Sequence, residues 1–280
     1  MSVDTKLHMK RLTEQLMQMN AVAIAVSGGI DSLTLAAVAE SVNDLDVELF
    51  HAVSPAVPPE ATERTKKLAI DRGWRLNVID AGEFLDEDYL ANPVNRCFFC
   101  KTNLYDSIAS RTNRQILSGA NLDDIGDYRP GLNAAEKAQV RHPFVESQIS
   151  KRIVREIATS VGLGHLADLP ASPCLSSRVE TGIRIDSRVL PLINNAERCV
   201  KEYLGGNPSA VRCRVRSTGI TIELDANTLD GLDDLAKGQL IDQVKQIFSD
   251  NELSNKVSID YYSVGSAFIH VKPSPTTEVA

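Results

Sequence analysis

The stretch that most constrains this chain is Ala21 to Ser32, AVAIAVSGGIDS, where a short uncharged run stops at Ser27-Gly28-Gly29 and a helix-forming segment begins at Asp31. Ala21 to Val26 is rich in Val, Ile and Ala, which suits a strand buried on both faces of a parallel sheet. Gly28 and Gly29 admit backbone conformations closed to residues with a Cβ, and they let an anion approach the main chain. Leu33 to Ala39 is a good helix former. The unbonded N–H groups and the dipole of a helix starting there point at whatever occupies the turn. Strand, glycine turn and helix start together make a phosphate site. Ser27 and Ser32 add hydroxyl donors, while Asp31 would repel a bare phosphate and suits a ligand or water-holder for the magnesium that accompanies one. A lone Gly-Gly would as readily serve packing alone; the whole string SGGIDS is more specific. It has neither the Gly-Lys-Ser/Thr ending of a Walker loop nor the G-x-G-x-x-G spacing.

Alternation of strands and helices continues on both sides of the turn. Asp4 to Met19 reads as a helix with Leu7, Leu12 and Leu16 on roughly one side. Val47 to Val53 reads as a strand, Pro59 to Ile70 as a helix stopped by Gly73, and Leu76 to Ile79 as a third strand. Asn92 to Cys100, NPVNRCFFC, interrupts the pattern, and Lys101 to Ala109 resumes it as a helix. Gln115 to Leu117 makes a fourth strand running into Ser118-Gly119-Ala120-Asn121-Leu122-Asp123-Asp124. Such alternation predicts a parallel α/β sheet with ligands beyond the carboxyl ends of its strands. Asn121, Asp123 and Asp124 lie at one such end, where they could hold metal or nucleotide, or serve as plain turn and cap residues. The polar loop Asp127-Tyr128-Arg129-Pro130-Gly131 follows, and Ser150 to Val161 reads as a helix with Ser150 as N-cap.

Gly162 to Gly182 is loop-like and marks a domain boundary, giving domains over 1–170 and 171–280. The second contains a helix over Asp186 to Leu204, a hairpin-like pair over Val211 to Val215 and Ile220 to Leu224, a helix over Leu235 to Phe248, and strands over Lys256 to Tyr261 and Phe268 to Val271. That mixture fits a small α+β module, with Ser274 to Ala280 as a frayed tail.

The 280 residues suffice for a large core, and a composition of 43% hydrophobic and 24% charged residues is that of an ordinary globular protein. A formal charge of −7 argues against an overall nucleic-acid coat. With no membrane-length apolar run and no signal-peptide core, the expected location is the cytoplasm. There the odd set of five cysteines favours metal or thiol chemistry over disulfides.

Cys97-Phe98-Phe99-Cys100 has the C-x-x-C spacing of a metal half-site or a redox pair, and buried inert thiols would share it. Cys174 stands in a Pro-bounded loop near Arg178, which would favour its thiolate. Three cysteines without a fourth would leave one iron of a four-iron cluster open to an exogenous ligand. Cys199 on a helix and Cys213 on a strand read as structural.

SGGIDS resembles the PP-loop, SGGxDS, of the ATP pyrophosphatase superfamily, whose members form an adenylate and release pyrophosphate. With RCFFCK at Arg96 to Lys101, GANLDDIGDYRPG at Gly119 to Gly131 and SPCLSSR at Ser172 to Arg178, the chain is similar over nearly its whole length to the LarE-type ATP-dependent sulfur transferases of nickel-pincer cofactor synthesis. The resemblance implies an adenine nucleotide alpha hydrolase-like (PP-loop) α/β domain followed by a smaller α+β domain, and a homo-oligomer. It implies ATP and Mg2+ held by Ser27, Gly28, Gly29, Asp31, Ser32, Gly119, Asn121 and Asp124, with Cys174, Asp31 and Lys101 as catalytic residues. A carboxylate of pyridinium-3,5-biscarboxylic acid mononucleotide would be adenylated, and protein-borne sulfur would displace AMP to leave a thiocarboxylate. Ser177, Arg178, Arg214 and Arg216 would bind this substrate, a planar guanidinium suiting its phosphate, and Glu197 and Glu223 are candidate metal holders. Alternating Arg on a strand is otherwise its solvent face, and Arg212 extends the pattern.

One branch of the family sacrifices the sulfur of the cysteine matching Cys174. Another, with a C-x-x-C pair as well, carries sulfide on a [4Fe-4S] cluster, and Cys97, Cys100 and Cys174 point to that branch. The competing readings are a PP-loop tRNA thiolase, which needs a basic RNA surface, an amidating ligase, which needs no cysteine triad, and a nucleotide-binding regulatory module without turnover.

Overall fold

A computed structural model of the chain describes residues 2–125, 130–167, 169, 173–205, 208–249 and 256–268. The readings placed on Asp127, Tyr128 and Arg129, on Pro170 and Ser172, and on the strand and tail beyond Phe268 lie outside those residues. The chain divides into two units, Met1–Tyr89 with Asn95–Pro173, and Leu90–Val94 with Cys174–Ala280.

The first unit alternates helices and strands in chain order: α1 (Val3–Met17), β1 (Ala21–Ala25), α2 (Ile30–Glu40), β2 (Asp46–Ala52), α3 (Pro59–Arg72), β3 (Leu76–Ile79), α4 (Glu87–Leu90, its last residue in the second unit), α5 (Arg96–Ala109), β4 (Gln115–Ser118), α6 (Pro130–Lys137), α7 (Pro143–Glu146), α8 (Lys151–Ser160) and α9 (Gly164–Ala167). Its four strands are parallel and ordered β3-β2-β1-β4, so the chain builds outward from β1 and then crosses to its other side. The crevice between β1 and β4 is thus the topological switch point, where open α/β sheets take their ligands.

β1 is buried on both faces, as its composition predicts. Val22 and Ile24 pack with Leu12 and Leu16 of α1, Leu35 and Val38 of α2 and Val154 and Ile157 of α8. Ala23, on the opposite side, packs with Tyr105 and Ile108 of α5 and Ala135 of α6. Each fully buried large aliphatic side chain contributes about 1.5–3 kcal/mol. Leu7, expected on the apolar side of α1, is 48% exposed, so the buried stripe is only Leu12 and Leu16 with Thr5. At its far end α3 stops where Gly73 adopts φ +67° and its N–H bonds back to Ile70. The interruption expected over Asn92 to Cys100 is shorter than the sequence suggests: α5 begins at Arg96, with Phe98 N–H bonding Asn95 O at 2.8 Å, so both cysteines of C-x-x-C lie in its first two turns.

The second unit contains a short helical turn over Leu175–Arg178, α10 (Val189–Leu204), β5 (Val211–Arg216), β6 (Gly219–Leu224), α11 (Ala226–Asp230), α12 (Asp234–Ile247) and β7 (Val257–Tyr261). β5 and β6 form the expected antiparallel pair, and β7 joins β6 in parallel, giving a small mixed sheet ordered β5-β6-β7. Leu190, Ile193 and Val200 of α10, Ile222 and Leu224 of β6 and Leu240 and Val244 of α12 are fully buried. The detour Leu90–Val94 is fastened into this unit by Asn92, whose side chain donates to Glu180 O at 2.8 Å and Ile183 O at 2.9 Å.

Candidate active site

The glycine turn after β1 has the conformation its sequence requires. Gly28 sits at φ +78°, and a Cβ there would lie 2.6 Å from Ala61 O. Gly29 is the N-cap of α2 in an extended conformation without a side-chain cap. The serines shape the turn from within: Ser27 N–H donates to Ser32 Oγ at 3.1 Å, Ser32 Oγ donates to Gly29 O at 3.1 Å, and Gly29 N–H reaches Ser27 Oγ at 3.3 Å. Arg64 of α3 braces the outside, its Nε donating to Gly28 O at 2.8 Å. His51, buried on β2, donates from Nδ1 to Val26 O at 2.8 Å, and its Nε2 lies 2.9 Å from Thr62 Oγ1. Burial holds its imidazole below the usual histidine range.

β4 closes the other side of the crevice. A Cβ on Gly119 would fall 2.7 Å from Ser32 N, so only glycine lets this loop lie against the start of α2. Asn121 Oδ1 accepts from Asp123 N at 3.0 Å, and Asp124 Oδ2 accepts from Asn121 N at 3.0 Å, a reciprocal capping box. Turn chemistry therefore occupies one side of this segment, but Asn121 Nδ2 also donates to Asp31 Oδ1 at 3.3 Å. Ser27, Gly28, Gly29, Asp31, Ser32, Gly119, Asn121 and Asp124 thus all stand at the carboxyl ends of β1 and β4. Ser118 Oγ is 2.7 Å from Nδ1 of His142. Burial lowers the His142 pKa; Glu146 and Asp124 oppose that shift, and Lys101 adds to it. Lys101 itself lies on α5 beside the start of α6, its Cγ 3.0 Å from where a Gly131 Cβ would be.

Lys151, Arg64 and His142 are residues the sequence reading did not single out. Lys151 opens α8 and pairs its ammonium with Asp31 Oδ2. Ser150 holds the expected N-cap position, but its side chain makes no cap bond; Asp123 Oδ2 instead accepts the Lys151 N–H at 3.2 Å. A lysine at the first helical position is disfavoured by the helix dipole, and that misfit was the one available signal.

Cys97 and Cys100 are one turn apart on α5 and half-buried. Cys174 belongs to the second unit, half-buried at the start of the turn Leu175–Arg178. Two thiols at helical i, i+3 spacing fit one edge of an iron–sulfur cluster in kind and spacing. Among the described residues, no group of three His, Cys, Asp or Glu side chains converges as a metal site.

In the second unit the Cys174 turn is tied to two buried carboxylates. Ser177 Oγ donates to Cys174 O at 2.7 Å, and Arg178 NH1 donates to the same carbonyl at 3.2 Å. Arg178 also forks onto Glu197, Nε to Oε1 at 3.0 Å and NH2 to Oε2 at 3.3 Å, and Glu197 Oε1 accepts Cys213 N–H at 3.1 Å. Arg214 donates from Nε to Glu223 Oε2 at 2.9 Å and from NH1 to Ser177 O at 3.1 Å. Arg216 NH2 and Ser266 Oγ both reach Glu223 Oε1 at 2.6 Å. The arginines of β5 are therefore not a solvent face: Arg214 is 5% exposed and Glu223 is 1% exposed. Glu197 and Glu223, expected as metal holders, face guanidinium groups with both oxygens. Burial also lowers the Arg212 pKa, with Arg178 and Arg214 pressing on its charge. Four arginines against two glutamates leave this cluster net positive, the electrostatics of an anion site. Cys213 is fully buried, which pushes its thiol well above the ordinary value and keeps it unreactive, and Cys199 Sγ lies 3.3 Å from Gln243 Oε1.

No protein-family profile matches the sequence. The chain is 36% identical over 229 residues to an uncharacterized protein of Synechocystis sp., covering 80% of this chain and 84% of the relative. It is 26% identical over 220 residues to an uncharacterized protein of Methanocaldococcus jannaschii, covering 77% and 79%. It is also 28% identical over 219 residues to the pyridinium-3,5-bisthiocarboxylic acid mononucleotide synthase of Lactiplantibacillus plantarum, covering 76% of this chain and 78% of that enzyme. No helix among the described residues is long and apolar enough to cross a membrane. With relatives matched across most of their length, the chain belongs to one family with the uncharacterized Synechocystis protein, and it is similar at lower identity to the Lactiplantibacillus plantarum synthase.

Proposed function

We propose that the protein is an ATP-dependent sulfur transferase that converts a carboxylate of pyridinium-3,5-biscarboxylic acid mononucleotide to a thiocarboxylate. The observation that carries this reading is the crevice between β1 and β4, where Gly28 and Gly119 occupy positions no other residue could fill and Asp31 stands at the helix start. Its support from relatedness is the Lactiplantibacillus plantarum synthase.

A free carboxylate resists attack because oxide is a poor leaving group. A substrate carboxylate oxygen attacks the α-phosphorus of ATP, the bond to the bridging oxygen breaks, and pyrophosphate leaves. Main-chain N–H groups at the start of α2, with Ser27 and Ser32, would hold the departing phosphates. Asp31 and Asn121 would hold the magnesium, which supplies charge neutralisation on the phosphates when bound. Sulfur then attacks the acyl carbon and AMP departs with the former carboxylate oxygen. Lys101 would stand beside the reacting acid.

In the second unit, the net positive cluster of Arg178, Arg212, Arg214 and Arg216 would take the substrate phosphate, with Ser177 beside it. Glu197 and Glu223 would act by fixing those guanidiniums, which is how their geometry differs from metal holding. For the sulfur source we favour a [4Fe-4S] cluster on Cys97, Cys100 and Cys174, supplying sulfide at its fourth iron; the rival is Cys174 itself, which would leave the chain short of one sulfur after a single turnover. The negative net charge of −7 disfavours the tRNA thiolase reading.

Anaerobic purification followed by iron and sulfide assay, with Cys97, Cys100 and Cys174 each changed to Ala, tests the carrier. Iron and sulfide lost in all three variants supports the cluster. An iron-free wild type that forms thiocarboxylate once, loses H2S in mass from Cys174 and needs neither Cys97 nor Cys100 supports the sacrificial route. An iron-free protein that forms no thiocarboxylate from ATP and the dicarboxylate contradicts the proposed function.

A further inference from the structure

Asp31 is the one acidic residue in SGGIDS, and its carboxylate is already matched by a cation from far along the chain. Lys151 Nζ pairs with Oδ2 while Asn121 Nδ2 holds Oδ1 at 3.3 Å. The lysine is anchored at its own backbone by Asp123, 3.2 Å away, and it sits at a helix start where a cation is electrostatically misplaced. A partly exposed pair of this kind, with side chains 30% and 26% exposed, stabilises the fold little, so stability is a weak reason for it.

We propose that Lys151 is a mobile counter-ion of the nucleotide site. It neutralises Asp31 in the absence of nucleotide and transfers its ammonium to the phosphate oxygens when the magnesium nucleotide arrives. This rests on the ATP reading given above. A divalent cation and an ammonium cannot share one carboxylate at contact distance without repulsion. A lysine on a flexible four-carbon stem, carrying a compact charge with no preferred plane, can change partners where an arginine fork is held by its geometry. In the displaced position it would face the charge that builds on pyrophosphate as the α-phosphorus bond breaks. The same ion pair would keep free metal from occupying Asp31 before ATP does.

The test uses the full chain with Lys151→Met, Lys151→Arg and the double variant Lys151→Met/Asp31→Asn. The first readout is Mn2+ binding to nucleotide-free protein by electron paramagnetic resonance. Removing the competing ammonium should tighten Mn2+ about fivefold in Lys151→Met, the scale of one partly exposed ion pair. The double variant should lose that site. The second readout is kcat/KM for ATP in AMP formation, which should fall about ten- to a hundredfold in Lys151→Met for one lost charge-assisted phosphate contact. Lys151→Arg should restore most of it. Unchanged or weaker Mn2+ binding in Lys151→Met overturns the counter-ion role, and an unchanged kcat/KM overturns the phosphate role. If wild-type protein forms no AMP, the adenylation reading fails on its own, and the Mn2+ measurement still decides whether Lys151 guards Asp31.

Discussion

The two units prepare for negative charge in opposite ways. In the first, the proposed anion site is main chain: two glycines that admit no Cβ, a helix start and two hydroxyls, beside the Asp31 carboxylate proposed for a metal. In the second the proposed site is side chain: guanidinium groups on β5 and the Cys174 turn, fixed by Glu197 and Glu223 in the interior. A backbone site costs little to keep folded, because its N–H groups are orphans of the helix start in any case. A buried side-chain cluster depends on every partner, since removing one charge leaves another uncompensated. The first arrangement suits a ligand used identically by many enzymes, and the second a particular acid.

Glu223→Ala should have the largest effect. Loss of the carboxylate shared by Arg214 and Arg216 should cost about 3–5 kcal/mol in denaturant unfolding. A cost below about 1 kcal/mol would make the cluster no different from a surface pair. Gly28→Ala comes next. It forces φ +78° on a residue with a Cβ and drives that carbon toward Ala61 O at 2.6 Å, so a loss of about 2 kcal/mol or more, and of ATP turnover, is expected by thermal unfolding and AMP assay. Ser32→Ala removes the side-chain bonds to Ser27 N and Gly29 O, for about 1–2 kcal/mol, and should raise the KM for ATP while leaving iron content unchanged.

The smallest effect is one of pH. His51 and His142, both in the first unit, have imidazoles held below their ordinary range by burial. The folded state therefore binds fewer protons than the unfolded chain once pH falls toward and below the unfolded value of about 6.5. Their stabilising contribution is complete above that pH and declines as pH drops through the window beneath it. Unfolding followed from pH 7.5 to 5.5 should show this loss, and His51→Gln should flatten part of it. A wild-type curve flat across that range would mean that neither imidazole resists protonation.

How much of this was legible in sequence follows from the same contrast. The backbone site is local, so SGGIDS and the Gly119 segment announce it, and β3 and the Gly73 stop fall where pattern and turn chemistry put them. α5 was cut short because Pro93, Asn95 and two adjacent Phe mask its first turn, whereas the chain needs only Asn95 O to start it. Leu7 matched the helical period but found no neighbour to bury it. Lys151 and Asp31 are separated by 120 positions and Arg178 and Glu197 by 19, and no spacing rule links either pair. Arg214 and Arg216 could be read as a stripe, but whether that stripe met water or Glu223 depended on how β6 and the Cys174 turn cover it.

If ATP activates a carboxylate, an oxygen atom passes from the substrate to the nucleotide, and isotope labelling follows it. With substrate carrying 18O in its carboxylates, AMP and pyrophosphate should be the products, with label recovered in the phosphate of AMP by 31P NMR. ADP and phosphate, or AMP that carries no label while thiocarboxylate accumulates, would contradict it.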